Sequence, residues 1–75
     1  MVDVRKILKG EIERRGFNQA AIARKAGMTS QQLCDVFNMR RKLEANEMLA
    51  VCDAMELNPM EVVRARHETN SPHSA

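Results

Sequence analysis

A chain of 75 residues with no Trp or Tyr and two Phe can bury one small core, and no apolar run in it approaches the ~20 residues of a membrane span. The formal charge of +2 singles out no partner class, but its distribution is uneven. Residues 1–42 hold ten Lys/Arg against four Asp/Glu (+6) and residues 43–75 two against six (−4), which suits a domain with one face toward a polyanion, although the same charges also read as solvated helix surface.

Ala, Leu, Met, Glu, Arg, Lys and Gln dominate the chain, and these are good helix formers. The first helix is predicted from about Asp3, a cap or first-turn acid, to Arg15. Val4, Ile7, Leu8 and Ile12 form its apolar stripe, and Gly16 ends it with Arg14 and Arg15 in the last turn. Phe17 follows and is expected to plug into the core.

Asn18 caps a second helix with the stripe Ile22, Ala23 and Ala26, and Gly27 ends it, since glycine enters the left-handed region without a Cβ clash. After Met28, Thr29 caps a third helix, with Gln32 placed to complete a capping box. Two helices joined by a short Gly-containing turn form a helix-turn-helix signature, although short helix pairs also occur in plain bundles.

The third helix is predicted to end near Asn38, and Met39 to Leu43 carries three successive bases, Arg40, Arg41 and Lys42. Helix four is predicted over roughly Ala45 to Glu56, with Met48, Leu49, Val51, Cys52 and Met55 as its apolar positions. Asn58, Pro59 and Glu61 supply a cap, a first-position proline and a capping-box acid for a fifth helix. That helix carries Met60, Val62 and Val63 and fades by about His67. The organisation is one domain over 1–67, and residues 68–75 read as a disordered tail.

From Ile12 to Val63 the chain resembles the phage lambda-type repressor and Cro family of helix-turn-helix proteins. Gln19 falls on the Gln that opens helix two in many members, Ile22 and Ala23 on a Leu-Ala pair, and Gly27 on the turn glycine. Leu33 and Val36 match buried positions of the recognition helix, and Leu49, Cys52, Met55 and Leu57 match the helix-four core and the apolar position after it. The resemblance implies an all-α, compact five-helix, lambda-repressor-like DNA-binding domain in which helices two and three form the helix-turn-helix. Three departures stand out. Met39 replaces a usual Gly after the recognition helix, so that turn is expected to differ in shape, and Glu56 replaces a common Gly after helix four. Phe37 and Ile12 occupy positions where some relatives hold a buried Glu and Arg, which an apolar contact can replace without loss of stability.

The DNA-facing side follows from helical geometry. At about 100° per residue, Leu33, Val36 and Phe37 cluster on one side of helix three, while Gln31, Asp35 and Asn38 lie opposite, with Ser30 exposed at its start. Residues at the N-terminal end of such a helix contact base edges in the major groove. The candidate base contacts are therefore Ser30, Gln31, Gln32 and Asp35. Gln31 can pair bidentately with adenine, and Asp35 can accept from cytosine N4, orient a neighbouring basic side chain such as Arg40, or serve as negative selection by repelling phosphates. Ser30 and Gln32 also read as capping-turn residues, and Gln31 as a solvated side chain. Candidate phosphate contacts are Gln19, at a helix N-terminus with unpaired N–H groups, and Asn38, Arg40, Arg41 and Lys42, which resemble the family's second backbone-contacting segment. Arg24 and Lys25 are weaker candidates, and the run Arg40 to Lys42 also reads as solvated surface.

An enzyme is not expected: His67 and His73 fall where nothing holds geometry, and Cys34 and Cys52 lack metal-site spacing. Two free thiols are expected, Cys52 buried and Cys34 flanking the recognition helix. No cofactor or metal is implied. Without an apolar amino-terminal segment, a cytoplasmic location is expected. Met48, Val51, Met60 and Val62 or Val63 are the candidate dimer face, since association helps so small a core.

The sequence thus reads as a small DNA-binding transcriptional regulator, a homodimeric repressor of the Cro type on a pseudo-palindromic operator. The alternatives are an antitoxin that represses its own operon and meets a toxin partner, or a protein-interaction module on the same fold.

Overall fold

Five helices pack around one core in the computed structural model, which describes residues 3–68 and side chains as far as Ala65. They are α1 (Val4–Arg15), α2 (Gln19–Lys25), α3 (Ser30–Phe37), α4 (Ala45–Ala54) and α5 (Pro59–Glu68). Among the described residues there is no strand, and no helix is long and apolar enough to cross a membrane. Helix α4 stops two residues short of the expected Glu56, while α5 runs one residue past His67 to Glu68. Residues 69–75, expected to be a tail, lie outside the described residues.

The helix starts follow their caps. Asp3 accepts the Arg5 N–H at 2.9 Å and Asn18 accepts the Ala21 N–H at 3.2 Å. Thr29 and Gln32 close a reciprocal capping box, each side-chain oxygen accepting the other's backbone N–H at 3.0 Å. The Arg5 guanidinium hydrogen-bonds the Asp3 carboxylate as well and holds its pKa down at about 2, from an ordinary 3.8. A carboxyl depressed in this way stabilises the fold above the unfolded value of 3.8, and that stability is lost as pH falls through about 2. Asp3→Asn keeps a cap acceptor but loses the ion pair. Urea midpoints should therefore place the variant below the parent at neutral pH, with the gap closing near pH 2.

Four helices end in the same way. The N–H of Phe17, Met28, Arg40 and Leu57 reaches back to the carbonyl of Ile12, Ala23, Asp35 and Cys52, at 3.0, 2.8, 2.8 and 2.8 Å. The N–H of Gly16, Gly27, Met39 and Glu56 closes the inner bond in each case. This is the Schellman motif, and it requires a left-handed residue. Gly16 and Gly27 supply it at φ +73° and +76°, but Met39 and Glu56 supply it at φ +66° and +55°. The turn at Met39 thus keeps the shape a glycine would give, against expectation, and the strain is carried by a residue with a Cβ. Met39→Gly and Glu56→Gly should each raise stability by about 1 kcal/mol in urea unfolding, the relief at positive φ exceeding the extra unfolded-state entropy.

The core takes Leu8 and Ile12 from α1, Ile22 and Ala23 from α2, Leu33, Val36 and Phe37 from α3, and Val51 and Cys52 from α4, closed by Met28, Met55, Leu57 and Val62. Ile12 and Phe37 are both buried and apolar in this cluster, and no buried charged pair takes their place. Burial pushes the Cys52 thiol up, whereas Cys34 is half-exposed, and both are free thiols.

Three apolar assignments are corrected. Leu49, expected in the core, is 51% exposed, because Val51, Cys52 and Met55 define the inward face of α4. Phe17, expected to plug into the core, is 37% exposed and lies outside the core cluster, unlike Met28 and Leu57, which follow the left-handed ends of α2 and α4 and are buried. Val51 and Val62, assigned to a dimer face, are buried in the protomer's own core and unable to contribute to one. Met48 and Val63 are half-buried, leaving Met60 as the well-exposed member of that set.

Candidate nucleic-acid interface

Helix α3 packs against both α1 and α2, and α2 packs in turn on α4. The connection between α2 and α3 is short because Gly27 turns the chain at positive φ and Met28 buries its side chain beneath the turn. With Leu33, Val36 and Phe37 inside, α3 is fixed in rotation, and Ser30, Gln31, Gln32 and Asn38 are exposed. Asp35 is half-buried on the same outer side.

The candidate base contacts differ in how free they are. Ser30 is exposed in the first turn. The carbonyl oxygen of Gln32 is held by the Thr29 N–H, so this side chain is in part the capping residue that its spacing also suggested. Gln31 and Asp35 are joined, the Gln31 Nε2 donating to Asp35 Oδ1 at 2.9 Å. The same oxygen accepts from Arg40 Nε at 3.2 Å and Nη2 at 3.1 Å. Of the roles open to Asp35 in the sequence, orienting Arg40 is the one these contacts support.

The phosphate candidates also separate. Gln19 is half-buried at the first position of α2. Asn38 turns back on its own helix, donating from Nδ2 to the Cys34 carbonyl at 3.0 Å and lying 3.2 Å from the Cys34 Sγ. Arg40, Arg41 and Lys42 have three different fates. Arg40 is tied to Asp35. Arg41 pairs with Glu47 of α4 at 2.8 Å, and its carbonyl accepts from Arg5 Nη1 at 3.0 Å. Lys42 is exposed.

Arg41 thus belongs to a tie that links the start of α1 to the start of α4. Glu47 anchors it, accepting the Glu44 N–H at 3.1 Å as well, and that bond and then Arg41 hold the Glu47 carboxyl below its ordinary range. Sequence reasoning missed this tie: Arg5 and Arg41 are 36 residues apart, and no local pattern links them. The approach of Arg40 to Asp35 had a usable signal, because a Schellman end brings the second residue past the cap back over the last turn. Comparison of the chain with protein-family models and with curated proteins finds no match.

Proposed function

We propose that this chain binds double-stranded DNA in a sequence-specific manner and acts as a small transcriptional repressor of the lambda-repressor and Cro type. In this reading α2 and α3 form the helix-turn-helix, and the N-terminal end of α3 enters the major groove. One observation carries it: α3 buries Leu33, Val36 and Phe37 while its outer side offers Ser30, Gln31, Gln32 and Asp35, with no large apolar residue among them. Such a helix is held rigidly from behind and presents hydrogen-bonding groups in front, as reading base edges requires. Lys42 and the N-terminus of α2 at Gln19 supply backbone contacts. Two protomers would place their recognition helices about 34 Å apart on a pseudo-palindromic site.

A second reading is a protein-interaction module on the same fold. It is favoured by the pairing of Arg40 with Asp35 and of Arg41 with Glu47, which neutralises two of three consecutive bases. Fluorescence anisotropy on random duplex DNA separates the two. Binding in which Lys42 of each protomer neutralises one phosphate, two in the dimer, should weaken about tenfold between about 50 and 200 mM salt. A folded chain that does not bind at the lower salt would overturn the DNA reading in favour of a protein partner.

A further inference from the structure

Resting on the DNA-binding reading, we propose that Asp35 is a positioning residue that makes Gln31 and Arg40 a single preformed edge for reading two nearby purines, adenine and guanine. The anomaly that points to it lies in the helix ends. At α1, α2 and α4 the residues joined by the outer Schellman bond are apolar in both positions: Ile12 and Phe17, Ala23 and Met28, Cys52 and Leu57. This is the usual composition of the motif. At α3 alone they are Asp35 and Arg40, and the side chains pair as well as the backbones. With the Arg40 side chain 61% exposed, the pair contributes little to stability. Its value lies in what it holds in place.

The engaged atoms determine the free ones. Asp35 Oδ1 takes Nε and Nη2 of Arg40, the side-on edge of the guanidinium. The end-on pair, Nη1 and the second Nη2 proton, is left over, and two parallel donors match guanine O6 and N7. Gln31 gives one Nε2 proton to the same oxygen. Its second Nε2 proton and its Oε1 remain unengaged, the donor and the acceptor that adenine N7 and N6 require. Gln31 and Asp35 are one helical turn apart, about 6 Å along the axis, so the two purines fall within about two base pairs of each other. Both readers are ordered before DNA arrives, which removes part of the entropic cost of fixing them on binding. Arg40, a phosphate candidate from its place in a basic run, becomes a base reader, and Asp35 contacts no base.

The test is selection of binding sites from a random duplex library by the parent chain and by Asp35→Ala, Asp35→Asn, Gln31→Ala and Arg40→Ala, with sequencing of the enriched pools. The Schellman bond at Asp35 uses its carbonyl, so these variants keep the helix end, and circular dichroism checks that they fold. Gln31→Ala should lose the adenine preference and Arg40→Ala the guanine preference. Asp35→Ala should weaken both together, each by about tenfold, without weaker binding to random duplex. Asp35→Asn, whose amide oxygen still accepts, should retain both. Loss in Asp35→Ala of a preference for one C·G pair alone, or an unchanged site, overturns the positioning role while leaving DNA binding intact. No enriched site with the parent chain overturns the DNA reading and this proposal with it.

Discussion

Leu33→Ala should lower stability by about 3 kcal/mol in urea unfolding. Leu33 is fully buried in α3 and belongs to the single core cluster, and α3 packs on both α1 and α2, so the space left by truncation is enclosed by three helices. A domain of this length has a total stability of about 4–11 kcal/mol. The variant should therefore show a visibly unfolded fraction on warming and lose DNA binding together with helicity. Gln31→Ala, on the exposed side of the same helix, should shift stability by no more than about 0.5 kcal/mol. Equal effects of the two substitutions would mean that α3 is not the inner wall of the core, and the reading of its outer side would fail as well.

The second large effect is expected on DNA binding from Lys42→Ala combined with Gln19→Ala. Lys42 is exposed and free of the ion pairs that hold Arg40 and Arg41. Its loss should weaken binding to random duplex about fivefold to tenfold per protomer at low salt, and reduce the slope of log affinity against log salt by about one per protomer. Gln19 is neutral, so Gln19→Ala should lower affinity without changing the slope, and the double variant should combine a changed slope with the larger loss. Arg41→Ala should behave differently. It leaves Glu47 without its partner and loosens the tie between α1 and α4, so its effect should appear in unfolding, at about 1 kcal/mol. Removing Arg41 is for that reason a poor way to probe the DNA face. A slope unchanged in Lys42→Ala would place the phosphate-contacting surface elsewhere on the domain.

Much of the fold was legible because helix ends are local events. Asp3, Asn18 and Thr29 cap where their spacing predicts, and Gly16 and Gly27 turn the chain where a left-handed residue is needed. Even the departures at Met39 and Glu56 were visible as positions, although the residue types suggested a changed turn. The backbone kept the turn because two hydrogen bonds and the burial of Leu57 at the end of α4 outweigh a strain of about 1 kcal/mol. The candidate site was less legible. A helical wheel correctly separates Leu33, Val36 and Phe37 from Gln31 and Asp35, but it does not say which polar side chains are already engaged with one another.

The sequence by itself determined five helices, their order, the caps of α1, α2 and α3, and the polar outer side of α3, since each depends on residues within about one turn of one another; the Glu44 and Glu47 start of α4 was not read from it. Only the tertiary structure decided that Val51 and Val62 turn inward while Leu49 and Met60 remain outside. A stripe wider than the contact leaves part of itself in solvent, and only the neighbouring helices define that contact. The tertiary structure likewise gave Arg40, Arg41 and Lys42 separate roles, through Asp35, through Glu47 and Arg5, and in open solvent. Three adjacent long side chains have the same local chemistry, and what divides them is which carboxylate the packing of distant segments brings within reach.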